Sequence, residues 1–305
     1  MTQVGAPRHD PIPIGDAAAP PFVRLSDPRL VFKQRGERFR ALAGDHELKT
    51  YLLFLADLSA VQHDIQDGLP PVEMPASDAL ARAREHAMPP LDRARFTPDP
   101  ACDATFERVL ASCGACLMPA AANAALQKVR DADPAARAGM AKAVLADAVP
   151  VEALAEHVFV AAALQVHFAR LAARLDAASL IPVGDGVCPA CGGPPVASMV
   201  VGWFGAHGTR FCACATCATM WNYVRIKCTV CGSTKGISYE EVEGGPGTVK
   251  AECCSECRSY VKILYQQKDP SLDPVADDVA SLGLDLMVRE TGLRRAGVDH
   301  FLLRY

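Results

Sequence analysis

The chain has 305 residues, of which 50% are apolar and 22% are charged, with a formal net charge of −4. This composition is typical of a globular protein of two or three domains, and the acidic balance argues against nucleic acid as a partner. The first residues lack the apolar core of a signal peptide, and the uncharged stretch between Glu156 and Arg170 is shorter than the ~20 residues of a membrane span. We therefore expect a cytoplasmic protein without membrane insertion.

The N-terminal part of the chain shows helical signals after a proline-rich start. Residues 1–25 contain five prolines and no apolar period, which predicts a mobile arm that can order partly against the body. Ser26-Asp27-Pro28 is typical of a helix start, and apolar positions predict a first helix that ends near Gly44. A second helix is predicted from about Glu47 to Gln66.

Further helices are predicted along the next hundred residues. Residues 67–100 contain seven prolines, so only short helices fit there. The longest helix should follow Pro150, and it is apolar nearly all round between Val158 and Phe168. Such a helix usually forms the centre of a bundle, so residues 26–182 are predicted to form an all-helical domain.

The composition changes to short strands after Pro182. Alternating or β-branched runs predict strands at Val196–Val201, Met220–Ile226, Ile237–Val242 and Tyr260–Leu264. A helical period returns in PVADDVASLGLDLMVRE, and the apolar tail Phe301-Leu302-Leu303 is expected to dock on the body.

Eight of the thirteen cysteines form a duplicated pattern. The chain reads Cys-x-x-Cys, 22 residues and Cys-x-x-Cys, and repeats this arrangement with an offset of 40 residues. The first repeat contains Cys188, Cys191, Cys214 and Cys217, and the second contains Cys228, Cys231, Cys254 and Cys257. Chance does not produce four paired spacings in register, so these residues are predicted metal ligands rather than isolated buried thiols.

The spacing of the pairs predicts two metal sites of four thiolates each. Two Cys-x-x-Cys turns that face each other complete a tetrahedral shell for Zn²⁺ or iron, as in a zinc ribbon or a rubredoxin-like module. Gly192 and Gly232 follow the first pair of each repeat and suit the positive φ of such a turn, whereas the second pairs lack this glycine. The duplication favours one metal within each repeat, and an interleaved pairing is the alternative.

The predicted fold is multidomain α+β. An all-helical N-terminal domain is followed by two tandem rubredoxin-like, zinc-ribbon-type metal modules and a C-terminal helix. The predicted segments are the arm, the helical domain, the first module, the second module and the C-terminal helix with its tail, at residues 1–25, 26–182, 183–226, 227–268 and 269–305.

The remaining cysteines carry no predicted ligand role. Cys212 and Cys253 lie beside the pairs but have no counterpart in the other repeat, so we interpret both as bystanders, with a place in the ligand set as the alternative. Cys113 and Cys116 form a fifth Cys-x-x-Cys, but helical flanks replace the βαβ context of a redox motif, so we interpret them, like Cys102, as buried helical cysteines. We find no catalytic constellation and predict that the protein is not an enzyme.

The charge of the cysteine-rich segment argues against binding to phosphates. Residues 183–268 contain eight Lys or Arg and six Asp or Glu, a net of +2. Because four thiolates on a divalent metal leave −2 per site, two such sites would change this balance to about −2.

Several stretches resemble one family, the formate dehydrogenase accessory proteins of the FdhE type. They are LVFKQRGERFRALAGDHELKTYLLFLADLSAVQ, CPACGGPPVASMV, WNYVRIKC, YVKILYQQKDP and VADDVASLGLD. The resemblance implies a cytoplasmic helper that active formate dehydrogenase requires, contact with the catalytic subunit of that enzyme, and rubredoxin-like iron-binding modules. It extends to the eight paired cysteines and does not reach Cys113, Cys116, Cys212 or Cys253.

The predicted function is therefore that of a maturation factor that binds formate dehydrogenase. A rubredoxin-like one-electron carrier is the alternative, and a nucleic-acid-binding zinc-ribbon protein is a third that the charge disfavours. Two metal ions per chain are predicted. Thiolate chemistry accommodates iron and zinc equally, so the preference for iron rests on the resemblance, with zinc as the alternative.

Overall fold

The N-terminal part of the chain folds into helices, as predicted. The computed structural model describes residues 20–302, and its first helix, α1, spans Pro28–Leu42. The carboxylate of the N-cap residue Asp27 accepts a hydrogen bond from the backbone N–H of Arg29, which satisfies a free donor of the first turn. Six further helices follow: α2 Lys49–Asp64, α3 Ser77–Glu85, α4 Pro100–Cys113, α5 Ala120–Asp131, α6 Pro134–Leu145 and α7 Leu154–Ala172.

Helix α7 is the centre of the helical part. Sixteen of its 19 residues are buried, and it contacts α1, α2, α4, α5 and α6, which confirms the prediction of a central helix. In the part of the chain that the structure describes, the segment Val151–Ala172 is the one helix long and apolar enough to cross a membrane. Because 72% of its most apolar window is buried inside the protein, it has the surroundings of a bundle's core helix.

The remainder of the chain is dominated by one twisted sheet. Its strands are β1 Val23–Arg24, β2 Pro195–Val200, β3 Arg210–Cys214, β4 Met220–Asn222, β5 Ile237–Glu240, β6 Val249–Cys254, β7 Ser259–Leu264 and β8 Arg294–Arg295. The order across the sheet is β1-β4-β3-β2-β7-β6-β5, and β8 pairs with β7.

The sheet differs from the predicted strands in three ways. Strands β3, β6 and the two-residue strand β8 were not predicted; the sequences of β3 and β6, RFCAC and VKAECC, are rich in cysteine and lack an obvious alternation. The predicted strand at Met220–Ile226 ends at Asn222. Residues 1–19, most of the predicted arm, lie outside the described residues, whereas Val23–Arg24 at its end form β1 and pair with β4.

The two cysteine repeats contribute three antiparallel strands each and share one sheet. The first repeat supplies β2, β3 and β4, and the second supplies β5, β6 and β7. They join where β2 pairs in parallel with β7, with Ala197 opposite Lys262 and Ser198 opposite Ile263. The repeats are thus connected by a backbone ladder as well as by the linker between them.

The C-terminal segment packs on the sheet through buried charges. The predicted helix is divided at Ser281 into α8 Ala276–Ala280 and α9 Leu282–Glu290. The Nζ of Lys262 is fully buried and lies 2.5 Å from a carboxylate oxygen of Asp285 and 3.4 Å from one of Asp278. Arg295 pairs with the same two aspartates at 2.5 and 2.6 Å. These ion pairs hold α8, α9 and β8 against β7.

The tail docks on the helical part, as predicted. Phe301 is fully buried in the main core, and its carbonyl accepts a hydrogen bond of 2.5 Å from the hydroxyl of Tyr51. Leu302 is partly buried against the same core, and Leu303 lies outside the described residues.

Candidate metal centres

The first cysteine pair of each repeat lies on a tight turn. The backbone N–H of Cys188 donates to the carbonyl of Gly193 at 2.8 Å, and that of Gly192 returns to the carbonyl of Cys188 at 2.9 Å. Gly192 has a φ of +80° and Gly232, at the same place in the second repeat, has +70°. This confirms the predicted left-handed conformation, which costs little for glycine and about 1–2 kcal/mol for other residues.

The second pair of each repeat uses the same conformation without glycine. Cys214 and Cys217 lie on the turn from β3 to β4, where Ala218 has a φ of +56°. Arg258 takes the corresponding position after the second repeat's turn, with a φ of +54°. The absence of glycine in the sequence therefore did not mean a different turn, because the flanking hairpin holds a strained residue in place.

The four turns bring the eight sulfurs together by repeat. In the first cluster the Sγ atoms of Cys188 and Cys217 are 3.6 Å apart, and those of Cys191 and Cys214 are 3.4 Å apart. All four sulfurs lie within 4.8 Å of one another. The grouping found is therefore the one within a repeat rather than the interleaved alternative.

The second cluster repeats this geometry. Its Sγ atoms are 3.6 Å apart between Cys228 and Cys257 and 3.8 Å apart between Cys231 and Cys254. A tetrahedral ion with metal–sulfur bonds of about 2.3 Å requires sulfur–sulfur edges of about 3.8 Å. Both clusters thus fit a tetrahedral metal ion, so the chain could hold two.

Polar groups beside the clusters bond to the sulfurs. The backbone N–H of Val230 donates to the Sγ of Cys228 at 3.3 Å, and the thiol of Cys217 donates to the hydroxyl oxygen of Thr219 at 3.2 Å. Burial raises the pKa of Cys188 well above its usual range, whereas hydrogen bonds from its three cluster partners lower that of Cys214. Four thiolates at this spacing require a cation to offset their mutual repulsion.

The two clusters differ in exposure. All four cysteines of the first cluster are at most 3% exposed and belong to the main hydrophobic core, together with the central helix α7. In the second cluster Cys231 is exposed and Cys257 is half-buried, and this cluster is near one end of the sheet. Sequence reasoning treated the clusters as equivalent, because the duplication carries no information about which repeat faces the helices.

The two bystander cysteines lie on the same strands but outside the clusters. The Sγ of Cys212 lies 3.7 Å from the hydroxyl oxygen of Ser198, and the thiol of Cys253 faces the carbonyl of Ala251 at 3.7 Å. Burial raises the pKa of each thiol to about 11, so both stay protonated at neutral pH.

The fifth Cys-x-x-Cys departs from its interpretation as two buried helical residues. Helix α4 ends at Cys113, so Cys116 lies in the following turn and is half-buried, while Cys113 and Cys102 are buried. A hydrogen bond between the two thiols raises the pKa of Cys113 and lowers that of Cys116. Gly114 is the C-cap residue of the helix, and its N–H donates to the carbonyl of Ala111 at 3.3 Å.

Sequence reasoning missed a buried residue that connects the two repeats. Arg210 on β3 is buried, pairs with the buried Glu252 of β6 at 2.7 Å, and donates to the hydroxyl oxygen of Ser198 on β2. It also donates to the carbonyl of Lys227 in the linker at 3.0 Å. The only signal was that Arg210 aligns with another basic residue, Lys250, in the second repeat.

The fold and the site define a protein of a particular class, in which a helical bundle is joined to one sheet that carries two four-cysteine clusters able to hold metal ions. Family models described as FdhE N-terminal, central domain and C-terminal domain match residues 20–185, 187–225 and 226–302. The chain belongs to the FdhE family, which confirms the resemblance seen in its sequence.

Individual relatives match along nearly the whole chain. An FdhE homolog of Rhizobium meliloti (strain 1021) is 51% identical over 298 residues, which cover 97% of each chain. One of Edwardsiella ictaluri (strain 93-146) is 35% identical over 92% of each chain. The crystal structure of the FdhE protein from Pseudomonas aeruginosa superposes with a TM-score of 0.82 at 33% identity, covering 93% of this chain and 99% of that one.

Proposed function

We propose that this protein is a maturation factor for formate dehydrogenase and that it acts in the cytoplasm by binding the catalytic subunit of that enzyme. Membership of the FdhE family supports this role. The structural observation that carries it is the construction of the metal centres: both are built into one sheet that is fused to a helical bundle. Such a body presents rigid surfaces and suits binding rather than catalysis, so we propose that it is not an enzyme.

We further propose that the eight clustered cysteines are the ligands of two metal ions, one in each repeat. Each repeat then forms a rubredoxin-like module, at residues 183–226 and 227–268, between the helical domain of residues 26–182 and the C-terminal segment. Iron is the proposed ion and zinc the alternative. The sulfur–sulfur distances of 3.4–3.8 Å support a tetrahedral ion without distinguishing the two metals.

A bound ion would supply a cross-link between the turns and a charge that offsets the thiolates. The protein's own residues stabilise the sulfurs and fix the arrangement of the repeats. The N–H of Val230 stabilises charge on the sulfur of Cys228, and Arg210 fixes the two repeats relative to each other. The client would therefore meet a surface whose shape depends on occupied metal centres.

A one-electron carrier is the second candidate function, and the exposure of the second cluster favours it. An electron-transfer centre must approach the protein surface, and Cys231 does so while the first cluster is enclosed. Iron in the second cluster and a reversible reduction potential would support this role, whereas zinc in both clusters would exclude it.

The proposed function is tested by complementation of a strain that lacks this gene. We expect the deletion strain to synthesise the formate dehydrogenase polypeptide but to lack formate oxidation, and we expect the wild-type gene to restore activity. The substitution Cys254→Ser should abolish restoration, because it removes a cluster sulfur. Cys253→Ser is the matched control, since it changes the adjacent bystander on the same strand and should restore activity fully.

Affinity isolation and elemental analysis complete the test. The wild-type protein should retain the catalytic subunit and contain two metal ions per chain. Normal formate oxidation in the deletion strain, in the absence of a related gene, would refute the proposed function. Failure of Cys253→Ser together with Cys254→Ser would refute the distinction between clustered and bystander cysteines.

A further inference from the structure

One edge of the sheet is open in the part of the chain that the structure describes. At the far end of the first repeat, β4 is covered by the short strand β1, with Val23 opposite Trp221. At the other end β5 pairs with β6 only, and between residues 20 and 302 no strand pairs with its outer side. Unpaired strand edges are templates for an added strand.

The pairing of β5 with β6 shows which backbone groups face outward. The N–H of Ser255 donates to the carbonyl of Gly236 at 2.9 Å, so Gly236 exchanges its hydrogen bonds with β6. Because bonded and non-bonded positions alternate along an antiparallel pair, Ser238 also bonds to β6. The backbone N–H and C=O groups of Ile237 and Tyr239 therefore point outward from the edge, on the side of β5 opposite β6.

The equivalent edge of the first repeat is occupied. Ser198 of β2 lies opposite Cys212 of β3, as Tyr239 of β5 lies opposite Glu252 of β6. The outer side of β2 pairs in parallel with β7, with Ser198 opposite Ile263. The repeats are thus joined head to tail. In the first repeat the outer edge of β2 accepts β7, and the equivalent edge of the second repeat, that of β5, stays open.

Three glutamates lie at the end of the open edge, between Lys235 and Lys250, and part of its surroundings is apolar. No Lys or Arg occurs from residue 236 to residue 249, whereas Glu240, Glu241 and Glu243 follow in close succession. Tyr239 and Val242 are 37% and 46% exposed. Glu241 pairs with Lys250 at 2.9 Å. An extended segment with basic side chains complements this edge in charge, whereas an acidic segment would be repelled.

We propose that the open edge of β5 binds an extended, basic segment of a partner protein as an added strand. Main-chain hydrogen bonds to Ile237 and Tyr239 would hold the segment, and the glutamates would select its charge. The proposal rests on the proposed function only in taking the client enzyme as the natural source of that segment.

A synthetic peptide tests the proposal without the client. The probe is a ten-residue, end-blocked peptide that alternates valine with lysine, added to the metal-loaded full chain. We expect binding that weakens as salt rises and hydrogen exchange that slows at the Tyr239 amide. The same peptide with alternate amide nitrogens methylated, or with glutamate in place of lysine, should not bind. Equal binding of the methylated peptide would mean simple charge attraction and would overturn the proposal.

Two matched pairs of variants locate the site. Tyr239→Pro removes an N–H that faces away from β6 and should lower peptide affinity about tenfold, whereas Tyr239→Thr keeps the N–H and should preserve most of it. Glu243→Lys should also weaken binding, whereas Glu73→Lys on the exposed surface of the helical part should not. Unchanged far-UV circular dichroism and metal content show that each variant is folded. Equal affinity of the two Tyr239 variants would overturn the proposal.

Isolation of the catalytic subunit separates this proposal from the proposed function. If the wild-type protein does not retain the subunit, the proposed function fails. If the wild-type protein and Tyr239→Pro retain it equally, the edge proposal fails. Sedimentation tests whether a second copy of this chain occupies the edge instead. A dimer that Tyr239→Pro disrupts would identify a second copy there and would overturn the proposal.

Discussion

The two metal centres should release their ions at very different rates when a chelator is added. The cysteines of the first cluster are at most 3% exposed within the main core, whereas Cys231 of the second cluster is exposed. A chelator reaches the first cluster only when the core opens, which costs about as much as global unfolding, roughly 5–15 kcal/mol. The chelator reaches the second cluster after a local opening of the chain around it. A difference of about 4 kcal/mol corresponds to about a thousandfold in rate.

Chelator competition in stopped flow measures this difference. We expect one ion per chain to be released quickly and the other on the time scale of unfolding. Cys257→Ser should remove the fast phase alone, and the bystander variant Cys253→Ser should keep both phases. Release of both ions in a single phase, or a fast phase that persists in Cys257→Ser, would refute the reasoning from exposure.

Three further predictions concern the helical part and the buried charges. Burial lowers the pKa of His167 to about 4. Because the unfolded state, with a pKa of about 6.5, takes up the proton first, stability present above pH ~6.5 should be lost as the pH falls towards 4. In urea unfolding the free energy of unfolding should fall by about 2 kcal/mol between pH 7 and pH 5 through this histidine, and this contribution should be absent in His167→Leu. Parallel curves of stability against pH for the wild type and the variant would contradict this. Lys262→Met should lower the free energy of unfolding by about 3–5 kcal/mol, because it leaves the two buried carboxylates of Asp278 and Asp285 with Arg295 as their shared cation. A loss below 1 kcal/mol would be inconsistent with the ion pairs. Cys113→Ala combined with Cys116→Ala should leave formate oxidation intact in the complementation assay, and loss of activity in a normally folded double variant would show that the pair is functional.

The sequence alone was sufficient for the features that depend on near neighbours. The cap at Asp27, the central helix after Pro150 and the glycine-containing first Cys-x-x-Cys turn of each repeat are local, because a few residues decide their backbone geometry. The duplication also favoured the grouping of sulfurs by repeat, since a 22-residue insert suffices to return the chain to its own turn. The resemblance to the FdhE family came from the same level of information.

Other features depend on partners that are distant in the chain. The pairing of β2 with β7 joins Ala197 to Lys262 across 65 residues, and no local pattern encodes which edge of a repeat receives the other. Ala218 and Arg258 adopt positive φ because hairpins hold them there, against their own preference. The difference in exposure between Cys188 and Cys231 arises because the helical part covers one cluster and leaves the other near the end of the sheet. Burial is a property of the assembled layers, and two identical spacings therefore acquire different surroundings only in the tertiary structure.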